Sequence, residues 1–105
     1  YDPAANTWTS LPALPTARGA MTAAFIGNSV HVAGGATWRP LKTFATHDVF
    51  DIASKSWSKG APMPNARQGM ASGVAAGRWW VIGGGSGAGV FGVFTASDAV
   101  EAYEP

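Results

Sequence analysis

The chain contains no cysteine. That excludes disulfides, thiolate nucleophiles and cysteine-held zinc, and it leaves the redox compartment open. Charge is scarce as well. Asp, Glu, Lys and Arg supply 12% of the 105 residues, about half the usual share of roughly 25%. The net charge is +1, which gives no basic field for nucleic acid or an anionic membrane surface. No apolar run approaches the roughly 20 residues of a membrane-spanning helix. We therefore expect neither nucleic acid nor membrane among the partners. The sequence opens without an initiator Met on Tyr1, which already stands inside a motif, and no signal peptide is expected among these residues. With 47% hydrophobic residues, the chain is rich in apolar surface for its size, so it is expected to be a piece of something larger.

What the sequence does have, it has twice. Tyr1-Asp2, Trp8, Pro15, Arg18, Met21 and Gly34-Gly35 return as Phe50-Asp51, Trp57, Pro64, Arg67, Met70 and Gly83-Gly84, each after 49 residues. A third copy begins at Tyr103-Glu104-Pro105. A repeat of this length is one supersecondary unit that cannot bury its apolar faces alone.

Within each unit the pattern is that of short strands. Thr7–Leu11 alternates polar and apolar residues and reads as a half-buried strand ended by Pro12 and Pro15. Ala20–Ile26 is a strand of mostly small residues, and Gly27-Asn28 supplies a tight hairpin turn into Val30–Ala33. A loop from Ala36 to about Thr46 leads to a strand at Asp48–Asp51, followed by Ser56–Lys59. The second unit repeats the series with Gly69–Ala75, Trp79–Ile82 and Ala99–Tyr103. Four antiparallel strands per unit, without helical periodicity, predict an all-β fold of β-propeller blades.

These motifs resemble the kelch repeat. The resemblance rests on the double glycine after an apolar strand, the aromatic–acidic pairs Phe50-Asp51 and Tyr103-Glu104, and a Trp seven residues after the aromatic, as in Tyr1 to Trp8 and Phe50 to Trp57. Leu14-Pro15 and Met63-Pro64, each followed by Arg18 or Arg67, fit it too. It covers essentially the whole chain. His31 departs from the pattern, standing where Trp80 supplies the usual aromatic, and Ser54, Lys55 and Ser56 replace the frequent Thr or Asn. The resemblance implies two four-stranded antiparallel kelch blades, about residues 1–49 and 50–103, belonging to a larger closed ring.

Each motif has a physical role in such a blade. Small residues such as Ala23, Ala24, Gly69 and Ala71 suit the strand that crowds the ring axis. The paired glycines let the backbone bend and approach a neighbouring strand. Trp8, Trp57, Tyr1, Phe50 and Tyr103 are large enough to fill the wedge between blades. Asp51 and Glu104 are expected to bond backbone amides in the turn that follows. Strand counting adds an expectation. The middle blade is complete, whereas the last has three strands and lacks one of the Thr7–Leu11 type. That split blade is expected to be completed by residues 1–13 of another copy or by the rest of a longer chain, and three copies of two blades would close a homo-oligomeric ring of six.

Groups for chemistry are few. His31 and His47 would need a third ligand such as Asp48 to hold a metal, and the plainer expectation is a satisfied strand His and a solvent-facing one. No serine sits in a nucleophile-elbow setting. Gly83–Gly89 lacks the Gly-Lys-Ser/Thr end of a phosphate-binding loop and no helical pattern follows it. Some kelch-like sugar oxidases use a copper site with a Tyr–Cys cross-link, and without Cys the resemblance does not carry that activity here. We therefore expect no catalytic residues, metal or cofactor. The variable loops are better candidates. Unit one carries Trp38 and Arg39 after its double glycine, and unit two carries Phe91 and Phe94 in a loop longer by four residues. Exposed Trp, Arg and Phe are what binding surfaces favour. In the kelch family, arginines near the entry to the innermost strand often point into the central opening, and Arg18 and Arg67 match that position; the alternative is a hydrogen-bonding role at the blade junction. The expected function is a non-catalytic scaffold that binds a protein or carbohydrate through Arg18, Arg67, Trp38, Arg39, Phe91 and Phe94 on one face. The alternative is a fragment of a kelch-like sugar oxidase or epimerase whose catalytic residues lie elsewhere.

Overall fold

Hairpins joined by glycine turns dominate the architecture, as alternating short strands dictate. The computed structural model describes residues 1–105. The strands are β1 (Thr22–Ile26), β2 (Ser29–Ala33), β3 (Ala36–Trp38), β4 (Leu41–Thr43), β5 (His47–Asp51), β6 (Ser56–Lys59), β7 (Ala71–Ala75), β8 (Arg78–Ile82) and β9 (Val100–Tyr103). One antiparallel sheet has the order β1-β2-β5-β6, and a second has the order β7-β8-β9. The two are a complete blade and a blade without its outer strand, as strand counting predicts. The only helical segment is a 3₁₀ stretch at Gly89–Phe94. No helix is long and apolar enough to cross a membrane.

Registers repeat between the blades. Phe50 lies opposite Trp57 and Asp51 opposite Ser56, with the Phe50 and Trp57 rings 5.0 Å apart. The same corner recurs at the start of the chain. Asp2 bridges Thr7, and the Tyr1 and Trp8 rings are also 5.0 Å apart. Asp51 caps its turn by accepting the Ser54 amide at 2.7 Å, and Asp2 accepts the Ala4 amide at 2.9 Å.

The double glycines occupy backbone that L side chains rarely adopt. Gly35 and Gly84 have φ of +106° and +92°, and a Cβ on Gly35 would lie 2.6 Å from the Gly19 carbonyl oxygen. At Gly84 the Gln68 carbonyl blocks the equivalent space. The close approach closes a small bridge in each unit, Gly19 with Ala36 and Gln68 with Gly85. Blade-to-blade hydrogen bonds then run from the Gly35 amide to the Arg67 carbonyl at 3.0 Å and from the Gly69 amide to the Ala20 carbonyl at 2.8 Å. The core sits between the blades, where Ala33, Trp79 and Val81 pack with Met63, Met70 and Tyr103 around them.

Two strand expectations need correction. Thr7–Leu11 is not a strand in this chain beyond the Asp2–Thr7 bridge, and Trp8 is 83% exposed rather than wedged between blades. Its alternation suits an outer strand, but no inner strand of this chain lies beside it. The loop from Ala36 to Thr46 holds an unforeseen hairpin, β3–β4. Thr37 Oγ1 donates to the Pro40 carbonyl at 2.6 Å and fastens its tip.

Candidate functional site

Arg18 and Arg67 come first, because they decide what remains on the surface. Both side chains are completely buried. Arg18 Nε donates to the Gly34 carbonyl at 2.6 Å, and its Nη1 donates to the Thr16 carbonyl and to Asp48 Oδ2 at 2.9 Å. Arg67 repeats this. Its Nε donates to the Gly83 carbonyl at 2.8 Å, Nη1 to the Asn65 carbonyl and Nη2 to the Val81 carbonyl, both at 3.1 Å. Nη1 also lies 3.0 Å from Glu101 Oε2. Each guanidinium therefore joins the strand end entering a variable loop to the strand leaving it. Below it the loop base is closed by backbone bonds, Gly34 to Thr46 in one unit and Gly83 to Ala99 in the other. This corrects the expectation that the two arginines line an opening and grip a partner: in this chain their donors point inward, and the junction role holds.

The histidines are also internal. His31 on β2 lies opposite Val49 on β5, so His47 is its diagonal neighbour on the same face. His31 Nδ1 and His47 Nε2 are 2.8 Å apart, and His47 Nδ1 is 2.9 Å from the Ala61 carbonyl. A carbonyl only accepts, so His47 donates from Nδ1 and accepts at Nε2 from His31. Burial, then the neighbouring His47, lowers the His31 pKa. Burial also lowers that of His47, against the opposing pull of the Ala61 bond and of Asp48. His47 is thus buried, not solvent-facing as the sequence suggests. Asp48 does not complete a metal site. Its carboxylate is taken by Arg18 and Lys59. Burial alone would raise its pKa, but Lys59 and Arg18 outweigh that and hold it below the ordinary 3.8. No three His, Asp or Glu side chains converge as metal ligands.

The variable loops do converge. Thr43 Oγ1 donates to the Ser86 carbonyl at 2.9 Å, tying the β3–β4 hairpin to the loop of the second blade. A Cβ on Gly89 would lie 2.9 Å from the Trp38 ring, so only glycine lets the 3₁₀ stretch approach that closely. Between the loops is an open groove of about 370 Å³ whose lining includes Trp38, Arg39, Gln68 and Gly89. Trp38 is 65% exposed, Phe91 52% and Phe94 81%, and Val90 and Val93 of the second loop are exposed as well. Arg39 stands exposed at the hairpin tip. The structure thus brings Trp38 and Arg39 together with the loop that carries Phe91 and Phe94. Arg67 does not line the groove, whereas Arg18 does. Sequence reasoning missed Gln68, whose Nε2 donates to the Gly87 carbonyl at 2.8 Å and supports the loop; one glutamine after a repeated arginine gave no signal.

A second cleft, about 310 Å³, opens between the blades and is lined by Ala61–Pro64, His47, Trp79 and Tyr103 among others.

No protein-family model matches the chain. It is 37% identical over 99 residues to Kelch-like protein 25 of Xenopus tropicalis, a match covering 88% of this chain and 16% of that protein. It is 29% identical over 76 residues to Kelch-like protein 36 of Mus musculus, covering 72% of this chain and 12% of that one. The chain therefore spans less than a fifth of the length of either relative. Among solved structures, that of YjhT superimposes with a TM-score of 0.69 at 28% identity, covering 85% of this chain and 27% of its own. The repeated registers, the repeated arginine junctions and these likenesses agree: the chain belongs to the kelch-repeat family of β-propellers.

Proposed function

We propose that the chain is part of a non-catalytic propeller scaffold that holds a protein partner on the face formed by its variable loops. One observation carries this reading: the two loops that differ most between the repeats are tied to each other, one carrying exposed Trp38 and Arg39 and the other exposed Phe91 and Phe94. Exposed aromatics and a cation carried on joined loops favour a partner segment that is apolar with an acidic residue at its edge. Lys42, 4.9 Å over the Phe44 ring, adds a second cation to the same hairpin. Kelch relatives make a protein partner the first choice, and carbohydrate is the second, since an exposed Trp also stacks on sugar rings. The remaining blades of the ring come from further copies or from a longer polypeptide.

Selection from a displayed peptide library, run beside a glycan array, tests the reading. Peptides with apolar and acidic residues should be enriched. Trp38→Ala and Arg39→Glu should each reduce their binding at least tenfold without moving the melting temperature. Binding that survives both substitutions would place the partner elsewhere, and capture of glycans alone would replace protein by carbohydrate.

A further inference from the structure

We infer that the His31–His47 pair is a proton-operated latch on the joint between the two blades, closed while both rings are neutral and released when both are protonated. The device belongs to the joint alone and is independent of what the loop face binds.

The pair stands where the first blade is tied to the second. His47 opens β5, directly after the first variable loop, and the linker between the blades is fastened along that stretch. The Gly60 amide donates to the His47 carbonyl at 2.9 Å, the Met63 amide to the Ala45 carbonyl at 2.8 Å and the Arg67 amide to the Phe44 carbonyl at 3.3 Å. The His47 ring adds a side-chain bond to the same linker, from Nδ1 to the Ala61 carbonyl at 2.9 Å. It packs so closely on Gly60 that a Cβ there would collide with the imidazole. From the second blade, Trp79 on β8 and Tyr103 on β9 flank both rings, with centroids 4.6–6.1 Å away.

The hydrogen bonds fix where the protons are. The Ala61 carbonyl only accepts, so His47 carries its proton on Nδ1 and offers the Nε2 lone pair to His31. His31 then carries its proton on Nδ1, and no hydrogen bond engages its Nε2. A first added proton goes to that free Nε2 and leaves every bond in place. A second has only His47 Nε2 to go to, and it sets two N–H donors face to face across 2.8 Å. One ring must then leave. If His47 leaves, the linker loses its bond at Ala61. If His31 leaves, Trp79 and Tyr103 lose the ring packed against them. Either way the second blade is let go, while the β2–β5 ladder is built from backbone groups and stays.

No free carboxylate offsets the added charge. Asp48 is held by Arg18 and Lys59, and Asp51, at the far end of β5, caps its own turn. On β9, Glu101 is held by Arg67 and Asn65, and Glu104 beyond it by Arg78. Neither β1 nor the linker stretch Gly60–Pro64 contains an ionisable side chain. Burial disfavours both imidazoliums. Opening therefore takes up protons, and the joint loosens as pH falls below the ordinary 6.5. The two rings interact, so they titrate in steps, and release comes with the second.

Amide hydrogen exchange at pH 7 and pH 5, corrected for the intrinsic effect of pH, tests this. The Gly35, Met63 and Gly69 amides bond across the joint. In acid they should lose protection at least about tenfold more than the amides of β2 and β5. His31→Asn is the control. Its amide reaches the position of Nδ1 and flips to present oxygen, so it serves a protonated His47 as well as a neutral one. The acid-specific loss at the joint should then disappear. Nitrogen-15 spectra of the imidazoles supply a second measurement that needs no variant. At pH 7 both rings should be in the Nδ1–H form, and His31 should take up its proton before His47. Equal loss of protection in joint and blade overturns the inference. So does a His31→Asn chain that loosens in acid as the unmodified one does, or a neutral His47 protonated on Nε2. If the asparagine chain does not fold, the spectra and the exchange pattern of the unmodified chain still decide.

Discussion

Replacing Arg67 by methionine removes four polar contacts at once while keeping most of the apolar stem. The guanidinium donates to the carbonyls of Gly83, Asn65 and Val81 and faces Glu101. Breaking a buried ion pair by removing one partner costs about 3–5 kcal/mol, because the other charge stays behind. Here Glu101 is 15% exposed and keeps the Asn65 amide as a donor, so the lower end applies. Three orphaned carbonyls add about 1 kcal/mol in total, since carbonyls near a loop base regain water more readily than a buried charge does. The expected loss is about 4 kcal/mol, a large share of the 5–15 kcal/mol that holds a typical domain together. In a urea titration the midpoint should fall with little change in slope. In a thermal melt of about 100 residues it should appear as a drop of roughly 15–30 °C. The double substitution Arg67→Met with Glu101→Gln should recover part of the loss but not all of it, because the carbonyls remain unpaired. A loss below about 1 kcal/mol for Arg67→Met would refute the junction role and return Arg67 to the candidates for partner contact.

Trp57 gives a graded test of the outer strand. Trp57→Phe keeps a ring against Phe50 and loses the bond to Pro12, for about 1 kcal/mol, whereas Trp57→Ala also loses the half-buried ring, for about 2–3 kcal/mol in a denaturant titration. The histidine pair sets the response to mild acid. Both folded-state pKa values lie below the ordinary 6.5, so the unfolded chain binds more protons in that range. Stability should be full above about pH 6.5 and decline as pH falls below it. His31→Gln with His47→Gln should flatten that decline in melts taken between pH 7 and 5. Asp48, held below 3.8, contributes a separate loss only in stronger acid.

Most of the blade is legible in the sequence, because strand periodicity, glycine turns and a 49-residue recurrence are local signals. The β3–β4 hairpin is not, since it occurs in one unit only and its strands are three residues each. The arginine junctions were half legible. Arg18 and Arg67 repeat after 49 residues, but their carboxylates Asp48 and Glu101 repeat after 53, because the second loop is longer by four. A search at a single offset misses the pairing. The histidine contact becomes readable only with the register in hand, which places His31 and His47 two positions apart across β2 and β5. Trp8 shows the opposite failure: its pattern is that of an outer strand, and its surroundings are not.

The two arginines also bear on how this surface can change over evolutionary time. Each staples a loop's entrance to its exit, at Gly34 and Asp48 in one blade and at Gly83 and Glu101 in the other. The closure cost of a loop whose ends are already held grows slowly with its length, about 0.6 kcal/mol for each doubling. The loop is then an exchangeable cassette clipped into a fixed frame, and the four extra residues of the second unit leave the spacing of the staple intact. The loop sequence can be rewritten by swapping what hangs beyond the staple, between blades or between chains, while the frame beneath carries on folding as before.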